Sequence, residues 1–128
     1  MTWEEMSLEC LQAAKRLSEA GYLRRSVSSA YYAAYSALAG RLAERKVTFA
    51  HGWNNPAHDQ LPSLIHNNMG LERSARIRIS RVFRRLRTVR ENADYRPRET
   101  VGRDLALACI RDATAVLLAM GIEEKEDG

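Results

Sequence analysis

Apolar residues return every three or four positions along almost the whole of this chain, and few breakers interrupt them. Met6, Cys10, Ala13 and Leu17 form one such series, and Val27, Tyr31, Tyr35, Leu38 and Leu42 a second. Ala75, Ile79, Val82, Leu86 and Ala93 form a third, and Ala106, Ile110, Ala113, Leu117 and Met120 a fourth. This spacing places one apolar stripe on each of four helices. No run alternates long enough to compete as a strand. With 7 Gly and 3 Pro in 128 residues, the chain lacks the turn residues of an all-β fold. The expectation is an all-α, up-and-down four-helix bundle with an additional short helix, because each helix carries one stripe and most connections are short.

The boundaries follow from capping chemistry. Thr2 and Glu5 have the spacing of a capping box, so the first helix starts there, and Gly21 ends it. The second helix is predicted over residues 24–44. Its strip of Ser26, Ala33, Ala37 and Gly40 allows another helix to come close. Residues 45–57 read as the main loop, with Gly52, Asn54, Asn55 and Pro56 supplying turn chemistry. A short helix is predicted over residues 62–68, with Pro62 in its first turn and a break at Met69 and Gly70. The fourth long stripe gives a helix over residues 72–93. Thr100 is the expected cap of the last helix, and Gly121 its end. Residues 1–128 are expected to form a single domain with an acidic tail from about position 121.

Several classes fall away. The longest nearly apolar run, residues 113–122, is half of what a membrane helix needs. Glu4, Glu5 and Glu9 occupy the segment where a secretory leader would be apolar. A cytoplasmic protein is therefore expected, with Cys10 and Cys109 as reduced core residues in no metal-binding spacing. There is no glycine-rich phosphate loop, no HExxH and no GxSxG, so Rossmann, P-loop, zincin and serine-hydrolase chemistry are not expected. No metal and no cofactor are expected.

Charge is concentrated in one place. The chain carries 20 Lys and Arg against 16 Asp and Glu, a net of +4. Residues 73–98 hold ten Arg against only Glu91 and Asp94, a local net of +8. Arg73, Arg76, Arg81, Arg84 and Arg87 spread over the polar side of the fourth long stripe. Two readings stay open: a solvated face with Arg stems lying on apolar surface, or an electrostatic footprint for phosphates. Arg81, Arg84, Arg85 and Arg87 are the candidate nucleic-acid contacts.

Arg90 falls inside the apolar arc, where an unpaired charge is costly. Asp94 stands four residues on and Tyr95 five. Either Arg90 and Asp94 form a structural pair at the helix end, or they form a polar site at a helix or subunit interface. Tyr31, Tyr32 and Tyr35 share one helix and are expected to pack. His51, His58 and His66 read as polar surface groups, with His58 also a candidate for proton transfer or RNA contact.

Two stretches resemble a known family. Ser28-Ser29-Ala30-Tyr31-Tyr32-Ala33-Ala34-Tyr35-Ser36-Ala37 is similar to the second-helix motif of small prokaryotic HEPN-domain proteins. Leu86-Arg87-Thr88-Val89-Arg90-Glu91-Asn92-Ala93-Asp94-Tyr95 is similar to their Arg-x-x-Ala-Asp-Tyr segment. The helix order matches over about residues 2–120. The resemblance implies a four-helix core and a homodimer. It also implies metal-independent ribonuclease chemistry, in which an Arg-x4-6-His motif meets its copy across the dimer. There the Arg holds the scissile phosphate, the His moves protons and the RNA 2′-hydroxyl attacks.

This chain departs from that signature. Arg90 matches the Arg and Glu91 the polar residue after it, but Tyr95 or Asp94 stands where His would be. Their reference pKa values, about 10 and about 3.9, lie far from neutral. The catalytic candidates are nevertheless Arg90, Asp94 and Tyr95, with His58 as an outside substitute. The resemblance also implies a toxin–antitoxin or defence module. In some such modules a separate minimal nucleotidyltransferase modifies a tyrosine near the motif. Three functions follow as expectations: an RNA- or nucleotide-binding protein with ribonuclease activity, a non-catalytic dimer that docks a transferase or other partner, and a structural adaptor.

Overall fold

The computed structural model describes residues 1–47, 56–68 and 70–124. Within them the chain forms α1 (Trp3–Glu19), α2 (Leu23–Glu44), α3 (Leu61–Asn68), α4 (Arg73–Tyr95) and α5 (Arg103–Ala119), with no strand. The fold is all-α. Four long helices form the bundle, and the short α3 lies against α4 and α2. No described helix is long and apolar enough to cross a membrane.

The second helix is the axle of the bundle. It touches α1, α3, α4 and α5, and twelve of its residues are buried, from Ser26 to Leu42. Five of the twelve are alanines, which lets neighbours approach on several sides. One close approach is at Gly40, where an added Cβ would stand 2.8 Å from the Trp3 Cβ. The small-residue strip read from the sequence is thus a helix contact. Ser26 Oγ donates to the Ala14 carbonyl at 2.7 Å and ties α1 to α2 across that contact.

The first helix corrects the sequence expectation. Its buried residues are Ser7, Leu11, Ala14 and Ser18, one position round from the expected Met6, Cys10, Ala13 and Leu17. Met6 is exposed. Packing against an alanine-rich helix favours the narrower face, because small side chains permit the shorter interaxial distance. Buried serines fit there when satisfied, as Ser7 is by donating to the Glu4 carbonyl at 2.7 Å.

Caps account for several helix ends. Thr2 Oγ1 accepts from the Glu5 N–H at 3.0 Å, as its position implied. Gly21 and Gly121 take positive φ after α1 and α5, and each turn closes with paired Schellman bonds. Thr100 does not cap α5. Gly102 holds that position in extended backbone without a side-chain bond, since Val101 is drawn against the core and delays the helix start. The fourth helix runs two residues past its expected end at Ala93. Of the loop read over residues 45–57, positions 48–55 lie outside the described residues, as do Met69 and the tail beyond Glu124. Glu124 itself pairs with Lys15 of α1 at 2.5 Å.

The end of α2 makes the same Schellman turn with Lys46 at φ 56°, where the other two turns use glycine. A side chain in left-handed backbone costs about 1 kcal/mol. Lys46→Gly is therefore expected to stabilise the protein by at most about 0.5 kcal/mol, net of glycine's added unfolded-state freedom. Urea denaturation of the two proteins measures it.

Candidate functional site

Arg90 is the charge that the sequence placed on an apolar arc, and the structure gives it partners on every side. Its side chain is only 12% exposed. Nε stands 3.1 Å from Asp94 Oδ2, itself on a side chain 17% exposed. Nη2 donates to the Tyr32 hydroxyl at 2.7 Å. The guanidinium also lies 5.1, 5.3 and 5.5 Å from the ring centres of Tyr31, Tyr32 and Tyr95. Such cation–π contacts strengthen when desolvated. Burial pulls against the charge, but the Tyr32 hydroxyl, Tyr95 and Asp94 outweigh it and hold the Arg90 pKa above its ordinary value.

Asp94 is fixed a second time by Ser28 Oγ, which donates to the same carboxylate oxygen at 3.2 Å. The helix end that carries Asp94 and Tyr95 is held by Arg24. Its guanidinium donates to the carbonyls of Asn92, Ala93, Arg96, Pro97 and Glu99 at 2.5–3.3 Å. One side chain thereby bonds two carbonyls of the last helical turn and three of the segment beyond it, with a cation at the negative end of the dipole. The sequence held one faint signal of this. Arg24 and Arg25 sit in the first turn of α2, where cations oppose the helix dipole and need a partner elsewhere.

His58 joins the cluster from the segment before α3. Its ring stacks on Tyr35 with centres 4.4 Å apart and planes 15° from parallel, and it stacks on Tyr31 at 5.6 Å. Tyr31 Oη and His58 Nδ1 are 2.5 Å apart. Burial pushes the Tyr31 hydroxyl well above its ordinary pKa, so it keeps its proton in the hydrogen bond with Nδ1. Burial first, and the Arg90 and Arg87 charges second, lower the His58 pKa against the opposing pull of Asp59. The tyrosine run thus packs, as its spacing suggested, and also forms the walls around Arg90.

The lowered His58 pKa has a pH consequence. The unfolded chain binds this proton near pH 6.5, whereas the folded chain resists it to lower pH. The stability His58 contributes is complete above about pH 6.5 and is lost as pH falls through the folded value. Thermal melts from about pH 7.5 down to about pH 5 are expected to show this loss, and His58→Gln to shrink it.

The four arginines read as nucleic-acid contacts do not share one surface. Arg85 faces α5 and forms a two-point pair with Asp112 at 2.8 and 2.9 Å. Arg81 and Arg84 line a groove between α3 and α4 with Ser63 and His66. The groove continues past Arg84 to Arg87 and Thr88, ending beside Asp59 and Glu91. Arg87 Nε pairs with Glu91 at 3.2 Å, which tempers the charge at that end. Arg81, Arg84 and Arg87 therefore form a basic track along one groove, and the Arg87 charge also acts on Tyr31 and His58 of the cluster. Cys109 is buried and Cys10 half-buried, and both are free thiols away from this region.

The geometry holds a charge-rich site at the junction of α2 and α4, and a separate basic groove between α3 and α4. Comparison with known proteins adds one finding. The family model described as the HEPN domain matches residues 1–124. No curated protein matches the chain.

Proposed function

The chain belongs to the HEPN-domain family, and from that premise we propose that it binds RNA. The strand follows the α3–α4 groove, with its phosphates on Arg81, Arg84 and Arg87 and one further phosphate at Arg90. The observation that carries this reading is the continuity of the groove, which Arg84 shares between its two halves. Backbone contacts of this kind are sequence-independent and salt-sensitive. Arg90 has five N–H groups, of which one on Nη2 donates to Tyr32 while Asp94 is an ion-pair partner beside Nε, leaving donors for a phosphate oxygen.

Binding is favoured over rapid strand cleavage. Transesterification needs a group to take the proton of the attacking 2′-hydroxyl and another to protonate the departing 5′-oxygen. His58 Nδ1 is engaged by Tyr31, and Asp94 Oδ2 by Arg90 and Ser28. The expected result with end-labelled RNA in EDTA is a retarded, full-length strand. Shorter products that vanish with Arg90→Lys would establish a ribonuclease instead. No retardation at low salt would refute the reading.

A second reading is favoured by one observation. Tyr95 stands at the motif and is 70% exposed, so its hydroxyl is accessible to a modifying partner. A homodimer of toxin–antitoxin or defence type, docking a separate nucleotidyltransferase, fits that exposure. Recovery of the native complex with such a partner, and a mass shift on Tyr95, would support it.

A further inference from the structure

The last helix is apolar on two sides. Its buried side, which includes Cys109, Ala113 and Val116, packs into the bundle. Of the seven large hydrophobic side chains exposed among the described residues, three also lie on α5: Leu105, Leu107 and Leu118. Leu107 is 40% and Leu118 54% exposed. At about 100° per residue these two fall on one line, three turns apart, on the side turned away from Cys109 and Ala113. Arg111 and Thr114 stand between them, so Leu107, Arg111, Thr114 and Leu118 repeat at the alternating spacing of a helix-pairing seam. Ala108 and Ala115 run along one edge of it. Scattered exposed leucines are ordinary, but two aligned on a seam with small flanking residues offer a surface that another helix can cover.

The seam is complementary to itself. Turned end for end, Leu107 takes the place of Leu118, Ala108 that of Ala115, and Arg111 that of Thr114. A second α5 laid antiparallel therefore sets leucine on leucine and alanine on alanine. It also brings each Arg111 beside a Thr114 hydroxyl, which donates to the Ile110 carbonyl at 2.8 Å and so turns its lone pairs outward. Charge agrees with this direction. Arg103 is exposed at the start of α5 and Glu123 just past its end, and neither forms an ion pair among the described residues. The antiparallel arrangement places each against the other and opposes the two helix dipoles. An unrelated partner would need none of this symmetry.

We propose that the outward face of α5 pairs with the same face of a second copy, antiparallel about a two-fold axis that passes between residues 112 and 113. The Arg90 cluster lies between α2 and α4, so the contact leaves it open. It is a second interface, separate from a homodimer that joins the motifs, and it does not depend on RNA binding. One pair of 17-residue helices is about 25 Å long and covers less than the roughly 800 Å² per copy of a standard interface. The expected association is therefore weak, with a Kd of about 10–100 µM.

The test is sedimentation velocity of the whole chain from about 5 µM to about 1 mM. The average mass is expected to double across that range, from monomer to dimer, or from dimer to tetramer where the motifs already join two copies. Leu118→Glu should weaken this step at least about tenfold, since it sets a charge against Leu107 twice in each pair. Its melting temperature should stay that of wild type, because the side chain points outward. Arg103→Glu and Glu123→Arg should each weaken the step about fivefold, and together restore it, because the combination rebuilds the pair in reverse. A mass that stays constant up to about 1 mM, or one that Leu118→Glu leaves unchanged, overturns the second copy as the occupant. A double reversal no tighter than the single ones overturns the antiparallel pairing.

Discussion

Arg90→Ala is expected to lower the melting temperature by about 10 °C and to weaken RNA binding at temperatures where the variant is still folded. The stability loss follows from what remains. Asp94, 17% exposed, loses its cation, and breaking a largely buried pair from one side costs about 3 kcal/mol. Three tyrosine rings also lose the guanidinium between them. For a domain of this size, about 3 kcal/mol corresponds to about 10 °C. The orphaned charge is separable from the lost packing. Adding Asp94→Asn to Arg90→Ala should recover part of the stability and none of the binding, because it removes the unpaired carboxylate without restoring a phosphate donor. Calorimetry of the two variants, with anisotropy at low temperature, reads both effects. A variant as stable as wild type would mean that Asp94 is solvated and that the pair contributes little.

The second large effect concerns the arginine track. Replacing Arg81, Arg84 and Arg87 together with alanine should lower affinity for single-stranded RNA by about two orders of magnitude at roughly 0.05 M salt. It should also flatten the dependence of log K on log salt by about 2. Arg85→Ala should do neither. Its guanidinium is committed to Asp112, and at 59% side-chain exposure that pair contributes little to stability. The contrast is specific to this fold, since Arg84 and Arg85 are adjacent in sequence and point to different neighbours. Equal losses from Arg84→Ala and Arg85→Ala would show that the strand does not follow the α3–α4 groove.

That contrast also marks where sequence patterning stops being informative. The helices were legible because each long one repeats its apolar residues at helical spacing, and the family resemblance was carried by residues 28–37 and 86–95. The Arg90 pairing was legible because a cation on an apolar arc requires a counterion, and Asp94 lies one turn away. The face of α1 was misjudged by one position. Periodicity weighs residues by hydrophobicity, whereas packing on the alanine-rich α2 selects for size. The α5 cap was misplaced because the choice between Thr100 and Gly102 depends on burial of Val101, a tertiary effect. Arg24 and its five carbonyl partners join residues about seventy positions apart, and no local spacing encodes them. His58 is similar. Nothing adjacent to it in sequence signals the Tyr31 hydroxyl or the Tyr35 ring face that receive it.

These long-range contacts give the site its chemical character. Tyr31 stays protonated, His58 stays neutral, and Arg90 stays charged inside a wall of rings. A neutral histidine beside two arginines leaves the positive charge on groups that keep it at any physiological pH. Such a site suits holding a phosphate more than moving a proton.

The most direct measurement is the affinity of the wild-type protein for a labelled single-stranded RNA across a series of salt concentrations. A steep linear fall of log K with log salt is expected, with a slope that shrinks by about 2 in the Arg81, Arg84, Arg87 variant. Affinity that is unchanged by salt, or unchanged by removing the three arginines, would contradict RNA binding along the α3–α4 groove.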